Sequence, residues 1–71
     1  MKITSAQTEK LLKGSQTFSQ FAFSMLMTRL KGLYSKNPTP ATVSSCAEEI
    51  NKFLAKFHSI MSVDYAIIKS L

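Results

Sequence analysis

The plainest periodicity lies in the second half of the chain. Val43, Cys46, Ala47, Ile50, Phe53, Leu54, Phe57, Ile60 and Met61 recur at steps of three and four. At about 100° per residue they fill an arc of roughly 140°, the stripe of an amphipathic helix with one buried face. Tyr65, Ile68 and Leu71 stay in phase. The spacing therefore predicts one helix from about residue 40 to residue 71, with Ser62 as the cap of a separate short helix in the alternative. Glu48 and Lys52 stand four apart on the polar side, acid first, the favourable order for an exposed pair. Asp64 falls near the apolar stripe and is the one residue out of keeping with it.

The first half is less regular. Thr4-Ser5-Ala6-Gln7 fits a capping box, with the Gln7 side chain reaching back to Thr4. From there Leu11, Phe18, Ala22, Leu26, Leu30 and Leu33 hold one phase as far as Tyr34. Gly14 costs about 1 kcal/mol inside a helix relative to Ala. With Ser15, Gln16 and Thr17 beside it, Gly14 marks a point where the arm divides into a short and a long helix. Gly32 is a second weak point. Asn37-Pro38-Thr39-Pro40 is the strongest punctuation. Asn tolerates the left-handed conformation that ends helices, and Pro38 cannot continue one. Thr39 is a good N-cap, and Pro40 suits the first helical position. A link this short makes the flanking helices antiparallel neighbours. The expected fold is all-α: a single domain over 1–71, an antiparallel two-helix hairpin with arms at about 5–35 and 40–71, and optionally a short extra N-terminal helix. Leu26, Leu30 and Leu33 are expected to pack on Val43, Ile50 and Leu54. Phe18 and Ala22 are expected to meet Phe57 and Met61.

The width of the apolar face over 18–34 exceeds what this hairpin uses. Phe23, Met27 and Tyr34 lie on one flank of the main stripe, and Phe21 and Met25 on the other. Together they cover roughly 240° of the wheel, whereas a hairpin arm needs only about 100°. Phe21, Phe23, Met25, Met27 and Tyr34 are therefore the candidate partner-binding residues, covered by a helical partner or, when the chain is alone, by a second copy in a homodimer. The alternative is a helix over 5–13 that folds back and covers one flank.

Size sharpens this picture. A chain of 71 residues and 7.9 kDa exposes roughly 11,500 Å² unfolded and about 4,400 Å² when compact, a marginal burial for a lone domain. Two domains are excluded, yet 45% of the residues are apolar, too many for disorder. One Cys and one His exclude an internal disulfide and the usual structural zinc sites. Lys2, Thr4, Ser5, Gln7, Glu9 and Lys10 do not read as a signal peptide, and the charge-free stretch between Lys13 and Arg29 is too short and too polar to span a bilayer. A cytoplasmic protein that binds no membrane is expected.

Chemistry adds little. Cys46 and His58 are twelve positions apart on one predicted helix and cannot form a nucleophile–base pair. Glu48 and Glu49 point to different sides of a helix and do not flank a substrate. Glu9 and Asp64 are the only other acids, so hard-metal coordination is not expected, and no Gly-rich phosphate loop is present. No enzymatic activity, cofactor or metal is expected. The formal charge of +5 raises the question of nucleic acid, and Thr39 to Ser44 has the look of the start of a recognition helix. The cations are dispersed and include one Arg, so a basic helix-turn-helix DNA binder is the weaker reading and nucleic acid is not the expected partner.

The hairpin layout, with a first arm carrying Met27-Thr28-Arg29-Leu30-Lys31, a tight turn and an amphipathic second arm, resembles the small type III secretion needle co-chaperones (YscE/PscE/EscE-like) over roughly residues 18–71. The resemblance implies a non-catalytic protein that binds a tetratricopeptide-like partner chaperone and helps keep the needle subunit monomeric in the cytoplasm. A second resemblance competes. Lys36 to Pro40 and Val63 to Ile68 look like the turn and C-terminal segment of the needle subunits themselves, which implies a filament-forming protein. The strongly apolar stretch from Phe18 to Leu33 favours the chaperone.

Overall fold

A computed structural model of the chain describes residues 2–56 and 62–71. The described residues form helices and connecting segments only: α1 (Ser5–Lys13), α2 (Phe21–Lys36), α3 (Pro40–Lys56) and α4 (Ser62–Lys69). Each expected arm thus holds two helices. A straight helix over 5–35 would be about 46 Å long, but the longest dimension of the molecule is 30 Å. The Cα radius of gyration, 11.1 Å, equals the roughly 11 Å expected of a folded chain of this length.

Local chemistry sets most of the boundaries. The Thr4 hydroxyl accepts from Gln7 N at 3.1 Å, and the Gln7 side chain accepts from Thr4 N at 3.0 Å. This reciprocal box starts α1, as the sequence predicts. Thr39 Oγ1 accepts from Thr42 N at 3.2 Å, and Pro40 opens α3. Helix α2 ends at Lys36, but Asn37 is not left-handed: its φ is −144°. Pro38, which lacks an N–H, ends this helix without a left-handed cap.

Gly14 closes α1, and residues 14–20 run on without helix. Phe18, expected within the arm, lies in this connection with its ring buried. It meets Phe23 edge-on at 4.8 Å between centroids. The connection is tied from afar. Asp64 Oδ1 accepts from Ser19 N at 2.7 Å, and Asp64 Oδ2 accepts from Gln20 N at 2.8 Å. Gln20 provides no side-chain cap to α2, and the first turn of α2 contains no acid. The fully buried Asp64 carboxylate supplies from α4 the anion that a helix N-terminus favours. Its place near the apolar stripe is thereby accounted for.

The core gathers Ile3, Leu11, Leu12, Phe18, Phe23, Met27, Leu30, Val43, Cys46, Ile50, Leu54 and Ile68. Helix α1 packs on both α2 and α3. The segment before it is pinned by Asn51, which accepts from Ile3 N at 2.7 Å and donates to Ile3 O at 3.1 Å. Lys31 Nζ donates to Gly14 O, and Lys10 Nζ donates to Leu71 O. Leu30, Val43, Ile50 and Leu54 are buried together as expected, with Leu26 packed at the edge. Leu33 and Ala22 are exposed, contrary to expectation. The buried face of α2 is turned by roughly 90° from the expected stripe. The cause is α1, whose cover makes the Phe23–Met27 flank the inner face. Phe57, His58, Ile60 and Met61 lie outside the described residues.

Candidate docking surface

The five residues picked from the sequence divide between inside and outside. Phe23 and Met27 are in the core, at 0% and 3% exposure. Phe23 lies between Phe18 and Phe53, the latter ring 5.2 Å away. Tyr34 is half-buried, and its hydroxyl donates to Glu9 Oε2 of α1 at 3.4 Å. These three are therefore not an open docking face, because α1 and α3 already cover them. Phe21 and Met25 remain outside, 78% and 56% exposed.

The broad apolar arc of α2 is in fact two stripes on nearly opposite sides. At about 100° per residue, Leu30, Phe23, Tyr34 and Met27 occupy an arc of roughly 60° that faces inward. Phe21, Gly32, Met25, Lys36, Arg29, Ala22 and Leu33 occupy an arc of roughly 120° that faces outward, and all seven are exposed. Sequence reasoning placed Leu33 and Ala22 in the core and read Gly32 only as a weak point of the helix. Their common phase with Phe21 and Met25 was the available signal. A Cβ built on Gly32 meets nothing within 4 Å. The helix forgoes about 1 kcal/mol relative to Ala there, and no described residue uses the vacated space.

The charged groups on this face have identifiable partners or exposure. Arg29 Nη2 and Nη1 donate to the two carboxylate oxygens of Glu49 on α3 at 2.8 and 3.3 Å. The hydrogen bond from Arg29 holds the Glu49 carboxyl below its ordinary range, against a smaller opposing effect of burial. Helix α2 carries Arg29, Lys31 and Lys36 and no acid. Leu33 continues the face into a shallow groove shared with Ala41, Thr42, Ser45 and Glu49 of α3.

Cys46 is buried, and burial pushes its thiol above the ordinary range, with the Glu49 charge adding to this and Arg29 opposing it. Such a thiol is a poor nucleophile. Among the described residues no three His, Cys, Asp or Glu side chains are grouped to hold a metal ion. No described helix is long and apolar enough to cross a membrane. No family model, curated protein or solved structure matches this chain.

Proposed function

We propose that the protein is a small, non-catalytic binding module that docks on a helical partner through the outward face of α2. In the reading suggested by the resemblance, it is a cytoplasmic co-chaperone of a type III secretion system. The partner is then a tetratricopeptide-like chaperone, and the assembly helps keep the needle subunit monomeric. The observation that carries the docking claim is the exposure of Phe21 and Met25 on the same side of one helix as exposed Leu33. Burying side chains of this kind contributes about 1.5–3 kcal/mol each. Three of them supply a gain comparable with the association cost of about 4–15 kcal/mol, so surrounding polar contacts decide the affinity. In the absence of the partner, two copies pair through the same face only at high concentration.

Co-expression with the chaperone and needle subunit of a type III secretion system from the same genome tests this reading. A stoichiometric soluble complex is expected from the wild-type chain. The Phe21→Ser/Met25→Ser double variant should keep its fold and lose the complex. Retention of the complex by that variant contradicts the docking claim. Fibres formed by the isolated chain on standing would identify it as a filament subunit instead.

A further inference from the structure

Resting on the docking reading above, we infer that the element received by the outward face of α2 is an acidic amphipathic helix, one whose apolar stripe is edged with Asp and Glu. Three observations lead there. First, the face mixes apolar anchors with cations. On the wheel Lys36 and Arg29 lie together between Phe21 and Met25 on one side and Leu33 on the other, and α2 contains no acid. Glu49 sits at the margin and is already engaged by Arg29.

Second, another copy of the chain is a poor occupant. At about 200 Å² per side chain, the exposed parts of Phe21, Met25 and Leu33 amount to roughly 350 Å². A specific interface takes at least about 600 Å² from each partner, so the apolar anchors alone hold neither a second copy nor a helix, and charge decides between them. Two copies also bring together chains of formal charge +5 each, and like-charged faces repel. An acidic helix reverses the sign of that interaction and pairs with exposed Lys36 within the face.

Third, the vacancy at Gly32 fits the close crossing of a helix. It lies about 20° from Phe21 and from Met25 on the wheel, in open space. A missing Cβ lets a second backbone approach the α2 axis about two turns beyond Met25, on the side that Phe21 and Met25 share.

A displayed library of amphipathic helices tests the inference. Each helix spans about 18 residues, five turns, with fixed Leu positions on one face and flanking positions drawn from Glu, Lys and Ser. Selection is on the full chain, against the Phe21→Ser/Met25→Ser variant. That variant is first checked for an unchanged circular dichroism spectrum and melting temperature. Enrichment of Glu-flanked helices that bind the wild type about tenfold or more tightly than the double variant supports the inference. Gly32→Leu and Lys36→Glu should each weaken that binding severalfold. The advantage of Glu over Lys flanks should shrink as the Debye length falls from about 10 Å at 0.1 M salt to about 3 Å at 1 M.

Other outcomes are distinct. Equal or better binding of Lys- or Ser-flanked helices overturns the acidic partner and leaves the docking face standing. No enrichment over the double variant overturns both. Sedimentation equilibrium showing a low-micromolar dimer that Phe21→Ser dissociates assigns the face to a second copy and overturns the inference.

Discussion

Replacing Asp64 with Ala removes a buried carboxylate whose two oxygens hold the N–H groups of Ser19 and Gln20 at 2.7 and 2.8 Å. The segment they belong to enters α2 and carries the buried Phe18 ring. A hydrogen bond to a charged group contributes about 1.5–3 kcal/mol, and loss of a helix cap costs about 0.5–2 kcal/mol. Water reaching the opened site offsets part of this, so a loss of about 2–4 kcal/mol is expected. A chain of this size has a total stability of only about 4–11 kcal/mol. At about 4–8 °C per kcal/mol, the melting temperature should fall by roughly 10–25 °C in a thermal scan followed by circular dichroism. Asp64→Asn should lose nearly as much, because its NH2 group turns one acceptor into a donor facing another donor. Amide exchange at Ser19 and Gln20 should accelerate in both variants. The exposed neighbour Val63 is the control, and Val63→Ser should shift the melting temperature little. An Asp64→Ala melting temperature within about 2 °C of wild type, less than 1 kcal/mol, refutes the claim that this carboxylate caps α2.

Further outcomes follow from other contacts. Gly32→Ala should raise the urea midpoint, with a gain of about 0.5–1 kcal/mol, because the added methyl meets open space. Asn51→Ala frees the Ile3 N–H and C=O, so limited proteolysis should cut near the N-terminus sooner, with a loss of about 1–2 kcal/mol in unfolding titrations. Glu49 titrates lower in the folded chain than in the unfolded one, chiefly because Arg29 donates to it. Its contribution to stability is thus present above the unfolded value, about pH 4.3, and is lost as pH falls through the lowered folded value. Unfolding titrations of wild type and Glu49→Gln should accordingly differ at neutral pH and converge in acid, and salt should shrink the difference. The Cys46 thiol, buried and with its ionisation suppressed, should react with a thiol reagent at neutral pH slowly when folded and rapidly in denaturant.

Local signals in the sequence were readable because they act over three or four residues. Thr4 with Gln7, Thr39 with Pro40, and Pro38 fixed helix ends that the structure reproduces. The phase of α2 was not readable in the same way. Its apolar residues fall on two opposite sides, and a wheel cannot say which side is inside until α1 is placed. Once Leu11 and Leu12 are buried beside α2 and α3, Phe23 and Met27 turn inward and Leu33 turns out. The decisive polar contacts were also invisible to periodicity. Asp64 meets Ser19 across 45 positions and Asn51 meets Ile3 across 48, and a pattern of three and four carries no information at that range. The candidate surface was half legible for the same reason: Phe21 and Met25 stand outside as expected, whereas Phe23 and Met27 serve the core.

The central claim is that α2 presents its Phe21–Met25 side to a partner while its Phe23–Met27 side belongs to the chain itself. Photo-reactive methionine placed singly at position 25 or at position 27, with irradiation in the native host, separates the two sides. The account predicts an intermolecular adduct with a helical protein from position 25, and only intramolecular products from position 27. Partner adducts from position 27 and none from position 25 would contradict it.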